Sequence, residues 1–331
     1  MDLEHVNLTI SCSPHVHSPD NTRSIMLDVV IALIPAMLGS MFFYGLRALM
    51  LLAVSVAACV CFEFLYRLIL KKDQTIGDCS AIVTGILLAL VCPVSIPYWA
   101  IIIGDFFAIV VVKQLFGGIG CNFLNPALAG RAFLFSYPVL MTTWTAVGQK
   151  LNVFGANVDA VAAATPLSAM HQGSLQDIPL MNAFVGNISG SMGETSVILL
   201  LVGFVYLLVR KIISPRIPLA YVATVAVLAF LFPQGNDRLL WTGYQVCCGG
   251  LMLGAIFMAT DYATSPVTGW GQILFGIGCG IITIAIRYFG SYPEGVSYAI
   301  LIMNVSVYLL DKVGTPKRFG YRKPKKEADA K

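Results

Sequence analysis

The 331-residue chain is 57% hydrophobic and only 11% charged, with a mean hydropathy of +0.80 and a formal net charge of +4. This balance excludes an ordinary soluble domain and defines a polytopic membrane protein. A few basic loops account for the small positive excess, so it requires no nucleic-acid partner.

Residues 1–25 form a polar tail. No basic region in it leads directly into a short apolar run and a small-residue cleavage site, so it is not expected to be a removable signal peptide. A spanning helix needs about 20 mostly apolar residues, fewer where it is broken or buried. Ten such stretches occur in turn, at 26–44, 48–70, 79–93, 97–116, 124–141, 194–213, 217–233, 241–259, 270–289 and 294–311. The expected fold is therefore all-α, with ten transmembrane helices. A first membrane region (26–141) and a second (194–311) flank a polar segment, 142–193, and a basic tail, 312–331, closes the chain. The two regions are weakly alike: Gly85-Ile-Leu-Leu-Ala-Leu with Pro93 and Trp99 matches Gly254-Ala-Ile-Phe-Met-Ala with Pro266 and Trp270. Two five-helix repeats, inverted relative to one another, are the expectation; chance likeness between apolar stretches is the alternative.

Ten spans put both termini on one side, and Lys and Arg mark that side as cytoplasmic. Arg67, Lys71 and Lys72 lie at the end of the second span and Arg210, Lys211 and Arg216 at the end of the sixth; Lys312, Lys317, Arg318, Arg322, Lys323, Lys325 and Lys326 lie in the tail. The segment 142–193 then falls outside, with Lys150 its only Lys or Arg. The polybasic tail is also suited to contact anionic membrane lipid.

Nine cysteines include no CxxC pair, and most lie in apolar runs where a thiol packs as a small hydrophobe. Cys121 is the exception, in a Gly-rich break. Four scattered histidines complete no metal-ligand pattern, so no metal site is expected. Polar breaks at membrane depth are costly unless they face protein or a cavity, which marks 117–126 and 290–295 as binding places. Asn122 and Asn125 can offer amide donors and acceptors to a planar heterocycle there, or cap the helix that begins near Pro126. Asp28, Glu63, Asp105, Lys113, Asp261, Arg287, Glu294 and Asp311 lie in or near spans, where an unpaired charge costs at least about 2.5–3.5 kcal/mol. Asp105 is nearest the middle of a span.

Four motifs in order carry a family resemblance: Asn122-Phe-Leu-Asn-Pro-Ala-Leu-Ala-Gly-Arg-Ala-Phe-Leu134, Asp159-Ala-Val-Ala-Ala-Ala-Thr165, Gly186-Asn-Ile-Ser-Gly-Ser-Met-Gly-Glu-Thr-Ser196 and Tyr292-Pro-Glu-Gly-Val296. Over nearly the whole membrane region the chain resembles the D subunit of the Rnf complex, with the B subunit of the sodium-pumping NADH:quinone reductase a near relative. The short N-terminal tail favours the former. The resemblance implies FMN joined through its phosphate to Thr165, in a motif that Asp159 opens and Ala164, Thr165 and Pro166 close. A dedicated flavin transferase attaches it on the outer side. The chain departs from the pattern at Ala162, where Ser or Thr is usual, and modification is expected nonetheless. Gly190, Ser191 and Glu194 are expected to shape the FMN pocket, and Asn122 and Asn125 to bind a non-covalent riboflavin. Glu63 and Asp311 resemble acidic positions tied to cation uptake, and Asp105 joins them as an ion-pathway candidate.

The function this resemblance implies is that of a subunit of an ion-translocating ferredoxin:NAD+ oxidoreductase in a bacterial or archaeal cytoplasmic membrane. It would relay electrons, coupled to Na+ or H+ movement, among other Rnf subunits that include a second covalent-FMN protein. Without the resemblance, Ala-Thr-Pro reads as a loop turning into a helix, and the broken spans fit a flavin-free channel or solute transporter equally. Paired carboxylates, a nucleophile-and-base motif and a phosphate-binding Gly loop with Lys are all missing from the sequence, so no independent catalysis is expected.

Overall fold

The structure, a computed structural model, describes residues 21–146, 148–149, 151–153, 165–171, 179–194, 196–235, 237–290 and 294–315. Among these the chain is helical, without a strand. Helices α1 (Thr22–Tyr44) and α2 (Leu46–Ile69) turn sharply at Gly45, whose φ of +78° suits glycine. Next come α3 (Ser80–Leu90), α4 (Tyr98–Phe106) with a π-helical continuation (Phe107–Gln114), α5 (Pro126–Leu134) and α6 (Pro138–Met141). Two short helices, α7 (Pro166–His171) and α8 (Leu180–Val185), lead to α9 (Val197–Val209), α10 (Arg216–Leu231) and α11 (Arg238–Cys247). The chain closes with α12 (Leu251–Leu253) and its π-helical extension (Gly254–Met258), α13 (Gly269–Phe289) and α14 (Val296–Gly314).

All ten predicted apolar stretches contain helix, and several of them are broken. Helix α3 stops at Leu90, just short of Pro93, and α5 stops at Leu134 before Pro138 opens α6, because proline removes a donor and clashes with the preceding turn. The stretch 241–259 breaks at Gly249 and Gly250, with φ of +72° and +69°, and its halves meet at 56°. Helices α1, α2, α13 and α14 are individually long and apolar enough to cross a membrane, and the bent α11–α12 pair is a fifth candidate. Large apolar side chains such as Phe42, Val139 and Phe289 point outward, as they do where the surrounding solvent is lipid.

Helix pairs approach at small residues, the usual contact in membrane bundles. A Cβ at Gly85 of α3 would stand 2.9 Å from the Val56 backbone of α2, and one at Gly276 of α13 would stand 2.9 Å from the Ile217 carbonyl of α10. Between α1 and α9 the fit is tighter, since a Cβ at Gly203 would overlap the Ala32 carbonyl. Gly203→Val is expected to part these helices and cost about 1–3 kcal/mol. An unfolding midpoint in detergent equal to wild type would contradict this packing. Helix α2 packs on α3 and α4 as α10 packs on α11 and α13, while α5 meets α14 across the middle.

Candidate functional site

Thr165 precedes α7 and is 4% exposed. Its Oγ1 accepts the Ser168 backbone N–H at 3.1 Å and its carbonyl accepts the Ser168 hydroxyl at 2.8 Å, so the threonine caps the short helix that Pro166 opens. The same residue lines a cleft with Gly190, Glu194, Gly249 and Glu294. The strip 186–194 is held there by the backbone: Met192 and Gly193 donate to the carbonyls of Cys92 and Leu90 at the end of α3, and Tyr44 donates its hydroxyl to the Gly190 carbonyl. A Cβ at Gly193 would stand 2.7 Å from that of Leu90, so glycine permits this approach. Gly190 and Glu194 are thus brought beside Thr165 and Pro166, while Ser191, on the same strip, is fully buried and does not line the cleft. Asp159 and Ala164 lie outside the described residues.

Beneath the cleft lies a buried set of charges. Arg131 of α5 donates to Glu294 and, at 2.7 Å, to the Ser297 hydroxyl, and stands 3.8 Å from Glu194. Arg287 of α13 donates to the side chain and carbonyl of Gln245 and to the carbonyls of Cys248 and Gly249, gripping the break between α11 and α12. Two arginines and two glutamates balance. The network is not saturated, however. Of the seven buried side-chain polar atoms without a hydrogen-bond partner among the described residues, four are here: Arg131 Nε, Arg287 Nε, the Ser191 hydroxyl and Glu194 Oε1. Buried polar groups normally find partners, so this is the least satisfied part of the described bundle. The Glu194 carboxylate points to Arg131 and Gly250.

At the other end of α3, about 16 Å away along its axis, Asn122 and Asn125 line a cavity of about 90 Å³, partly open to the surroundings, with Lys113, Thr260 and Asp261. Asn125 Oδ1 caps α5 through the N–H groups of Ala127 and Leu128, and its Nδ2 donates to the Met258 carbonyl. Asn122 donates to the Leu124 carbonyl. Capping is therefore realised at Asn125, and both residues still face the cavity. Helix α5 joins the two places, Asn125 at one end and Arg131 near the other.

The acidic candidates separate. Glu63 accepts from Lys113 at 2.7 Å and from Thr75 at 2.8 Å, and Lys113 also donates to Ser80. Asp105 is fully buried, in contact with Ser55 and Cys59. Asp311 is remote from both and accepts from the Val267 and Thr268 N–H groups and the Thr268 hydroxyl, anchoring the start of α13. Arg131 was the functional residue that sequence reasoning passed over. A guanidinium between Ala129-Gly130 and Ala132-Phe133 was the available signal, since a lone charge in an apolar run demands a buried partner.

Fold and clefts together define a multi-pass helical membrane protein with two polar sites inside its bundle. A sequence profile of the NQR2, RnfD, RnfE family matches residues 9–320, and the chain belongs to that family. It is 45% identical to the D subunit of the Na(+)-translocating ferredoxin:NAD(+) oxidoreductase complex of Acetobacterium woodii, over 99% of this chain and 100% of that one. It is 42% identical to the D subunit of the proton-translocating ferredoxin:NAD(+) oxidoreductase complex of Clostridium ljungdahlii, over 95% and 97%. To the D subunit of the ion-translocating oxidoreductase complex of Mannheimia succiniciproducens it is 33% identical, over 94% and 98%.

Proposed function

We propose that this chain is the membrane subunit of a ferredoxin:NAD+ oxidoreductase complex that relays electrons through an FMN esterified to Thr165, coupled to Na+ or H+ movement. The observation that carries this reading is Thr165 at the wall of a cleft that Glu194 and Glu294 also line, above the Arg131 network, in a chain of this family. Thr165 Oγ1 serves its helix as an acceptor. Exchanging its proton for phosphorus therefore leaves the cap in place. FMN, when bound, supplies electron transfer, and the protein supplies orientation and electrostatics. Gly190 and Glu194 would hold its polar edge, with Arg131 and Arg287 offsetting the added negative charge. The Asn122–Asn125 cavity, with its amide, Lys113 and Thr260 lining, is the place for a second, non-covalent flavin such as riboflavin.

In this reading the ten apolar stretches make ten crossings in two five-helix repeats, supported by the matching contacts of α2 and α10 with the helices that come after them. Both termini are cytoplasmic and the Thr165 segment is outside, where a flavin transferase acts. Glu63, Asp105 and Asp311 are the ion-pathway candidates, and the partners are the other subunits of the complex, one carrying its own covalent FMN. With exposed Cys61 and Cys121 replaced by Ser, a cysteine at Thr142 is expected to react with an impermeant maleimide from the outside and one at Lys72 only after the membrane is opened. The reverse pattern overturns the orientation.

The whole complex in proteoliposomes tests the function. Reduced ferredoxin with NAD+ is expected to drive ion movement that stops without electron flow. Solute or ion transport by the isolated chain without any redox partner would favour the flavin-free transporter.

A further inference from the structure

A second buried polar cluster lies in the first membrane region, away from the Thr165 cleft. On α2, Ser55, Cys59, Glu63 and Arg67 recur at every fourth position and all are buried, forming a polar stripe about 18 Å long on one side of the helix. Its lower members are paired: Glu63 with Lys113 and Thr75, Arg67 with the Asp73 carbonyl. The stripe ends at Asp105 of α4. Asp105 Oδ1 lies 2.7 Å from Ser55 Oγ and 3.2 Å from Cys59 Sγ, and its Oδ2 is buried without any hydrogen-bond partner. Ala81, Ile109 and Phe62 close around Cys59.

Two arguments fix what this carboxyl holds. Among the described residues no cation pairs with it: its contacts are Ser55 and Cys59 of α2, the Cys92 thiol beyond α3 also lies within its field, and the cations nearest those two thiols, Lys113 and Arg131, are engaged by Glu63 and Glu294. An isolated buried carboxylate is so costly that the group neutralises instead. The second argument is a count of protons. Ser55 Oγ lies 2.9 Å from the Gly85 carbonyl and 2.7 Å from Asp105 Oδ1, yet a hydroxyl has one proton to give. A protonated Asp105 satisfies both contacts: its O–H donates to Ser55, Ser55 donates to Gly85, and the Cys59 thiol donates to the carboxyl. A hard cation such as Na+ fits poorly, because it takes several oxygen ligands and a thiol is a soft one.

We infer that Asp105 is a proton-binding site, neutral in the resting protein, whose connection to the end of the bundle at Thr75 runs along α2 through Cys59 and the Glu63–Lys113 pair. This deepens the ion-pathway reading above. Infrared spectroscopy of the intact complex in lipid tests it. At neutral pH a carboxylic-acid C=O band is expected that shifts in D2O and on aspartate ¹³C labelling, is lost in Asp105→Asn, and moves to higher wavenumber in Ser55→Ala, where one hydrogen bond is missing. The inference is overturned if no such band responds to either variant, or if added Na+ at fixed pH erases it. Flavin content, measured on the same samples, separates the readings: a protein without FMN that keeps the band refutes only the flavin assignment, and a flavinylated protein without the band refutes only this one.

Discussion

Thr165→Asn is expected to remove the covalent FMN completely and reduce ferredoxin-dependent NAD+ reduction by the complex to the level seen without this chain. Asparagine caps a helix about as well as threonine, so α7 should keep its stability within about 0.5 kcal/mol. The hydroxyl that an ester requires is what disappears. This separates the chemistry of the position from its structural part, which Thr165→Ala would confound by also deleting the cap to Ser168. In-gel flavin fluorescence and electron-transfer rate check it together. Retained fluorescence on this chain would place the flavin elsewhere, and full activity without fluorescence would remove the flavin at Thr165 from the electron path.

Arg131→Gln is expected to be the most destabilising single substitution in the bundle. It leaves Glu294 and Glu194 as buried carboxylates without their guanidinium, and breaking a buried ion pair from one side costs about 3–5 kcal/mol. Because α5 and α14 meet through this contact, the loss should appear as a large drop in unfolding midpoint and weak assembly into the complex. Glu294→Gln in the same chain should recover much of the loss, since two neutral amides can bond where one charge could not. A double variant as unstable as the single one would show that Arg131 acts through something other than its acidic partners.

These expectations depend on features of unequal legibility in the sequence. Long apolar runs made α1, α2, α13 and α14 readable, because a spanning helix needs only composition and length. Where the shorter stretches break was less legible. Hydropathy does not register that Pro93 and Pro138 halt a helix, or that Gly249 and Gly250 turn the chain by their positive φ. Thr165 was legible through its motif and not through its chemistry, since an Ala-Thr-Pro capped turn is common in proteins with no ligand. The Arg131 network was not legible at all. It joins residues 163 positions apart, and only the packing of α5 on α14 says that those charges meet. The α2 stripe shows the reverse case. Polar residues at 55, 59, 63 and 67 are a visible period of four, hidden because each alone passes as a tolerated small or terminal residue.

The most direct test of the account is peptide mass spectrometry on this chain purified within its native complex. The peptide spanning Asp159 to His171 is predicted to carry the mass of one FMN joined by loss of water, with fragmentation assigning it to Thr165. The same peptide recovered unmodified from a host with an active flavin transferase would contradict the account and leave a membrane protein whose cleft serves another ligand.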